Sequence, residues 1–258
     1  MNVFIYIMIF IAGTVFGSFC SLAVYRIPRK ENITYVRSHC VKCNHKLAPL
    51  DLIPILSYIF LGGRCRYCRE KIRARYILLE ASSGLVFLLI ALSLKINVFS
   101  TLQEFINLFL IYLFVTGLFL VGGIDKENYV IPDSILLYLI GISILKIILN
   151  ATLGISALTN IVGFLAIPAV LLVINLVSKL NKKTPIGYGD IKYISVIGLF
   201  LGYAAELYIL PLSLIIAGIG YIIHKYKEIP WGYYLSIATV IMIICINCFP
   251  VLSEIVNI

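Results

Sequence analysis

Apolar runs long enough to cross a membrane take up most of this chain. About 20 apolar residues span a bilayer as a helix, because the hydrocarbon core is roughly 30 Å thick and each residue rises about 1.5 Å. Of the 258 residues, 61% are hydrophobic and 13% are charged. Candidate spans lie at residues 3–24, 77–94, 102–124, 130–149, 158–180, 191–203, 207–224 and 233–252. An open sheet edge cannot face lipid, so the sequence predicts an all-α integral membrane protein with about eight transmembrane helices.

The run at 191–203 is short, and it counts as a span only if its helix begins at Gly187 or earlier. The first run has no basic residues before it and no small-residue cleavage site after it. We therefore expect a retained helix there rather than a signal peptide.

The basic residues predict the orientation of the chain in the membrane. Twelve of the 21 Lys and Arg lie in the loop at residues 26–75. If that loop is cytoplasmic, alternation through eight spans puts 19 of the 21 inside, as the positive-inside rule requires. We therefore expect a multi-pass protein with both termini outside. Contact with anionic lipid explains the basic loop more simply than nucleic acid does, so no nucleic-acid partner is expected.

The sequence predicts three parts along the chain. Residues 1–25 form the first transmembrane helix, residues 26–76 form a cytoplasmic insert, and residues 77–258 form the membrane bundle. The insert is too small to bury a large apolar core of its own, so it needs another source of stability.

Four cysteines supply that source. Cys40 and Cys43 form one C-x2-C pair, Cys65 and Cys68 form another, and 21 residues separate the pairs. Zinc binds four thiolates tetrahedrally, and a two-residue gap lets one tight turn present both sulfurs. Disulfides are the rival interpretation, but a cytoplasmic loop is reducing. We predict a structural zinc, since a site with four protein ligands is closed to substrate.

Two aspartates stand at the edges of apolar runs. Asp125 follows the run that ends at residue 124, and Asp190 ends the sequence Gly187-Tyr188-Gly189-Asp190. If their helices are neighbours, one carboxylate can take a proton from water while its protonated partner polarises a peptide carbonyl. Gly187 and Gly189 would give the backbone freedom for a substrate strand to approach. The alternative, that both aspartates cap helix ends, stays open at this point.

Glu80 lies inside the second apolar run, where a buried acid needs a partner. The insert offers Arg64, Arg73 and Arg75 for that role, and Glu80 either is structural or lines a second site under the insert. Glu206, between two runs, is expected to be solvated.

Two other functions use the same residues. A proton- or ion-coupled transporter also carries membrane acids, although it gives the cysteine insert no role. A membrane-anchored zinc module that binds a partner would make both aspartates dispensable.

Several motifs in the chain match one family in order. They are Gly17-Ser18-Phe19, Tyr25-Arg26-Ile27-Pro28, the two C-x2-C pairs, Leu52-Ile53-Pro54-Ile55-Leu56-Ser57-Tyr58, Gly63-Arg64-Cys65-Arg66, Arg75-Tyr76 through Glu80, Ile124-Asp125 with Ile131-Pro132-Asp133, and Gly187-Tyr188-Gly189-Asp190-Ile191-Lys192. The chain resembles the type IV prepilin (leader) peptidases, bacterial intramembrane aspartyl proteases with a GxGD motif that often carry an N-methyltransferase activity. One departure follows: the family often shows Ile-Pro-Phe-Gly-Pro before its last helix, where this chain has Ile229-Pro230-Trp231-Gly232-Tyr233.

The resemblance implies that Asp125 and Asp190 are the catalytic pair. The substrate would be a prepilin or pseudopilin with a short basic leader, cut after a glycine at the cytoplasmic face of the bacterial cytoplasmic membrane. The cysteine-bearing insert would be associated with methylation of the new amino terminus by S-adenosylmethionine. The residues give little support for that cofactor, since no G-x-G-x-x-G loop follows a strand. The sequence leaves open which precursor is cut and what oligomer forms.

Overall fold

The structure is a computed structural model that describes residues 2–33, 35–180, 186–224 and 228–248. Its helices are α1 Asn2–Arg26, α2 Leu56–Phe60, α3 Arg75–Ser93, α4 Leu102–Asn128, α5 Asp133–Thr152, α6 Leu158–Leu180, α7 Tyr188–Leu201, α8 Tyr203–His224 and α9 Trp231–Cys248, with one 3₁₀ turn at Pro49–Leu52. Seven of the described helices are long and apolar enough to cross a membrane. The prediction of an all-α, multi-pass membrane protein is confirmed.

The predicted span at 191–203 corresponds to α7, which has 14 residues and is about 21 Å long. It is not among the seven helices of membrane-spanning length. Gly202, with φ +85°, ends α7, and α8 begins at the next residue. The expectation for Glu206 is wrong: it lies in the first turn of α8 and is only 1% exposed, because the chain turns at Gly202 without a solvated loop. The last four residues of the predicted span at 233–252 lie outside the described residues.

The chain divides into two compact units, residues 1–99 and residues 100–258. In the N-terminal unit, α1 packs against α3 in antiparallel register, with the insert joining their ends. Glycines make the close approach possible. A Cβ at Gly13 would lie 2.8 Å from the Gly84 Cα, and one at Gly17 would lie 2.7 Å from the Leu79 carbonyl oxygen. Small residues play this role in membrane helix pairs, where close packing replaces the hydrophobic effect.

The C-terminal unit is a bundle of α4 to α9 with α4 as its most buried spanning helix. A capping box begins α4: the Thr101 hydroxyl accepts the Glu104 N–H at 3.2 Å, and the Glu104 carboxylate accepts the Thr101 N–H at 2.9 Å. Helix α4 packs against α5 and α9, while α7 packs against α5, α6, α8 and α9. Two spanning helices, α5 and α6, separate the end of α4 from the start of α7, so the chain returns to the same end of the bundle.

Candidate functional site

Asp125 lies in the last turn of α4 and is 5% exposed. Its Oδ2 accepts a hydrogen bond from the Tyr233 N–H at 3.0 Å, and the Gly232 N–H also donates to this carboxyl. Both donors belong to the first turn of α9, where the backbone N–H groups have no partner within the helix. The Asp125 carboxylate therefore caps the N-terminus of a helix 108 residues further along the chain.

Asp190 lies in the first turn of α7, three residues after the N-cap residue Gly187. Its carboxyl folds back over that residue, because a Cβ at Gly187 would lie 2.7 Å from the Asp190 Oδ2. Gly187 has an ordinary φ of −59°, so it supplies space for the carboxyl rather than the unusual backbone freedom that we expected. At Gly189 a Cβ would meet Ile131 at 3.5 Å, an ordinary contact.

The structure brings the two predicted carboxyls together at one end of the C-terminal unit. The negative charge of Asp125 acts on the Asp190 carboxyl. It also acts on Tyr193, which lies one turn further along α7. The capping alternative holds in part, since Asp125 caps α9. Two neighbouring acids are what general acid and base catalysis of peptide hydrolysis requires.

A buried hydroxyl pair holds α7 against α9 beside these acids. The Tyr193 hydroxyl and the Ser236 Oγ are 2.8 Å apart, and Ser236 also donates to the Gly232 carbonyl at 2.8 Å. Sequence reasoning missed Tyr193, Gly232, Tyr233 and Ser236. The signal that could have found them is the helix start at Trp231, which falls at the same predicted membrane face as Asp125.

Three lysines lie at this end of the bundle. Lys126 approaches the Tyr233 hydroxyl at 3.3 Å, Lys179 donates to the Tyr188 hydroxyl at 2.6 Å, and Lys192 pairs with Asp133 at 2.8 Å. Asp133 is the first residue of α5 and follows Pro132.

The four predicted metal ligands also come together, in the insert of the N-terminal unit. The sulfurs of Cys40, Cys43, Cys65 and Cys68 all lie within 4.8 Å of one another, and those of Cys40 and Cys68 are 3.8 Å apart. Tetrahedral zinc with bonds of about 2.3 Å needs sulfurs about 3.8 Å apart, so the four residues fit the ion. The cysteines are free thiols, not disulfides.

The two cysteine turns have the same backbone design. In the first, the Cys40 N–H donates to the His45 carbonyl and its carbonyl accepts the Asn44 N–H; in the second, Cys65 makes the matching bonds with Glu70 and Arg69. Burial acts to raise the pKa of the Cys40 thiol, but hydrogen bonds from the backbone of Cys43 and Lys42 outweigh it and lower that pKa to about 7. These backbone hydrogen bonds therefore favour the thiolate form at Cys40, the form that binds a metal.

Asp51 joins the second cysteine turn to the start of the 3₁₀ turn at Pro49–Leu52, a role that the sequence did not reveal. Its side chain is 2% exposed. One carboxylate oxygen accepts from the Arg66 Nε at 2.7 Å, and the other accepts from the Ala48 N–H at 3.1 Å and the Tyr67 hydroxyl at 3.2 Å. The Tyr67 ring packs on His45 with 3.6 Å between ring centroids.

Glu80 fastens the insert to α3. Its Oε2 accepts the Ile55 N–H at 2.7 Å, and the Ser18 hydroxyl bonds to the same carboxyl. The partner that the structure shows for the Glu80 Oε2 is thus a backbone N–H. Ile55 has φ +61°, a left-handed conformation that a branched side chain rarely adopts, so this bond holds a strained turn in place.

A shallow depression lies on the surface of the insert. It encloses about 270 Å³ and is lined by Val36, Arg37, His39, Asn44 and Lys46.

Comparisons with known proteins match these two units. The Bacterial Peptidase A24 N-terminal domain matches residues 11–94, and the Type IV leader peptidase family matches residues 112–224. The prepilin leader peptidase/N-methyltransferase of Aeromonas salmonicida is 30% identical over 90% of this chain and 87% of its own length.

The chain belongs to the type IV leader peptidase family.

Other relatives carry the same name. The prepilin leader peptidase/N-methyltransferase of Vibrio cholerae is 31% identical over 83% of this chain and 85% of its own length. That of Pseudomonas aeruginosa is 28% identical over 88% of this chain and 85% of its own length. The family resemblance seen in the sequence is confirmed, and the relatives give no support to the transporter alternative. No solved structure matches the chain.

Proposed function

We propose that this protein is an intramembrane aspartyl peptidase that removes the leader of a type IV prepilin or pseudopilin, with Asp125 and Asp190 as its catalytic pair. The observation that carries the proposal is the placement of the two acids, with Asp125 in the last turn of α4 and Asp190 in the first turn of α7, near enough for the charge of Asp125 to act on Asp190. They are 65 residues apart in sequence, and both lie at one end of the C-terminal unit. The names of the relatives supply the substrate class.

The chemistry is hydrolysis by one water held between the two carboxyls. The ionised acid takes a proton from the water while the water oxygen attacks the scissile carbonyl carbon. At the same time the protonated acid gives its proton to the carbonyl oxygen. The tetrahedral intermediate then breaks its C–N bond as a proton passes to the leaving amine. Two adjacent carboxyls keep one proton between them because two charges at that separation repel each other.

The orientation follows from charge. Twelve of the 21 Lys and Arg lie in residues 26–75, and three more, Lys126, Lys179 and Lys192, lie at the aspartate end of the C-terminal unit. The opposite end carries Lys146, which is 4% exposed and donates to the Phe200 carbonyl. Lys182, Lys183, Lys225 and Lys227 lie outside the described residues. We infer a cytoplasmic active site and termini outside, in the bacterial cytoplasmic membrane.

A cytoplasmic site suits the substrate. A precursor with a basic leader is held on that side before export, and its apolar stem could lie in lipid against the bundle. The scissile bond would then reach the two acids at the interface, with helix packing in lipid contributing to binding.

The insert at residues 26–76 holds a structural zinc on its four cysteines in this proposal. When bound, zinc would organise the fold of the insert, as closed four-ligand sites do. The relatives' name also leads us to assign N-methylation of the cleaved product to this chain, with a methyl group from S-adenosylmethionine. We associate that activity with the insert.

Mass spectrometry of a candidate precursor expressed with this protein tests the proposal. Loss of the leader mass reports cleavage, and a gain of about 14 Da on the mature product reports one methyl group. A precursor of unchanged mass, in the presence of folded protein, would contradict the peptidase assignment.

A further inference from the structure

We propose that the first turn of α9 holds Asp125 as the ionised member of the pair, which leaves Asp190 as the member that carries the shared proton. The inference rests on the proposed function and deepens it, because it gives each acid a separate role. It also makes Gly232 and Tyr233 positioning residues that act through Asp125.

The donors at Asp125 favour its charged form. The Tyr233 N–H donates to Oδ2 at 3.0 Å, and the Gly232 N–H donates to the same carboxyl. A backbone N–H can only donate and an ionised carboxylate can only accept, so both bonds favour the charge. The N-terminus of α9 adds the positive end of a helix dipole.

Asp190 has the opposite surroundings. Within the described part of the chain, no N–H or O–H donates to its carboxyl, which is half-buried and lies within reach of the charge of Asp125. A carboxyl beside a fixed negative charge keeps its proton more readily than an isolated one does. The single shared proton therefore stays on Asp190.

The packing of α9 on α4 depends on glycine at position 232, because glycine has no Cβ. A Cβ at Gly232 would lie 3.1 Å from the Asp125 Oδ2 and 2.9 Å from the Ile131 Cδ1. Ser236, bonded to the Gly232 carbonyl and to the Tyr193 hydroxyl, keeps this turn in place. The turn is thus shaped around the carboxylate.

The two roles order the proton transfers. Asp125 takes a proton from the water that attacks the scissile carbon, and Asp190 donates its proton to the carbonyl oxygen. In the second step Asp125 gives its proton to the leaving nitrogen while the C–N bond breaks. Asp190 then recovers a proton from the hydroxyl of the intermediate, which becomes the new carboxyl group. The next water finds both acids as they began.

Tyr233 is the residue at which this idea can be tested. The family pattern often has proline at this position, and proline has no N–H to donate. Proline is also tolerated in the first turn of a helix. Tyr233→Pro therefore removes one donor to Asp125 and leaves a residue that suits the start of α9.

The experiment compares cleavage of a prepilin by Tyr233→Pro and Tyr233→Ala, each purified in detergent. Both variants lose the tyrosine ring and hydroxyl, and only the proline variant loses the N–H. We expect kcat to be about tenfold lower for Tyr233→Pro than for Tyr233→Ala, with KM unchanged, since one hydrogen bond to a charged group is lost. Equal kcat values would overturn the inference. A faster proline variant would overturn it too, because it would mean that the Tyr233 N–H hinders the reaction.

Gly232→Ala gives a second test if the proline variant does not fold. Its Cβ would displace the Asp125 carboxylate, so kcat should fall by about tenfold or more with little change in KM. Gly117→Ala is the control, because its Cβ would press on the Leu139 side chain in the α4–α5 interface, about two helical turns before Asp125 on the same helix. Equal losses in both alanine variants would assign the effect to packing and overturn the inference. Failure of the unmodified protein to cleave would contradict the proposed function instead.

Discussion

Gly187→Ala should slow cleavage strongly while hardly changing stability. The added Cβ would lie 2.7 Å from the Asp190 Oδ2, whereas ordinary contacts begin near 3.4 Å, so the carboxyl must move by roughly 0.7 Å. A misplacement of about 1 Å in a catalytic group can cost a hundredfold, so we expect kcat to fall by roughly thirty- to a hundredfold. The moving atoms end a flexible side chain, so the free energy of unfolding should fall by about 1 kcal/mol or less, the cost of alanine at an N-cap.

The assay is cleavage of a purified prepilin under single-turnover conditions, with a thermal melt of each variant in the same detergent. Gly189→Ala is the comparison, because its Cβ would meet Ile131 at 3.5 Å without approaching Asp190. We expect it to lose no more than a few-fold in rate. If Gly187→Ala and Gly189→Ala cleave at similar rates, the reasoning that links Gly187 to the position of Asp190 is refuted.

Three further predictions concern the insert. Elemental analysis should find about one zinc per chain, lost when Cys40 and Cys65 are replaced by serine; fully folded, metal-free protein with an intact insert would contradict this. Asp51→Ala should make the insert sensitive to protease at a lower temperature. The Ala48 N–H and the Arg66 guanidinium lose their acceptor, at a cost of about 1–3 kcal/mol. Unchanged protection from protease would show that Asp51 does not stabilise the insert. Glu80→Ala should speed amide hydrogen exchange at Ile55, which loses its only acceptor among the described residues, and exchange at the original rate would refute the fastening role.

Much of the fold could be predicted from the sequence because lipid leaves few alternatives. A long apolar run must satisfy its backbone within itself, so runs became helices at nearly the expected places. The meeting of Asp125 and Asp190 was predictable for a related reason: two spanning helices between them return the chain to the same face. The cysteine cluster followed from ligand spacing alone.

The parts that the sequence did not reveal involve backbone partners. Asp125 is bound by the N–H groups of Gly232 and Tyr233, and Glu80 by that of Ile55. Backbone donors are present at almost every residue, so no residue type marks the ones that are used. Sequence reasoning offered arginine side chains to Glu80 and did not consider the Ile55 N–H. Glu206 was misjudged because a single glycine, Gly202, replaced the expected solvated turn.

The most direct test of the central claim is prepilin cleavage by Asp125→Asn and Asp190→Asn, each shown to be folded by its melting transition. Each substitution preserves the shape of the side chain and removes one of the two acids. The account predicts that either change abolishes leader removal, because one acid cannot both activate water and protonate the carbonyl. Leader removal at the unmodified rate by either variant would contradict it.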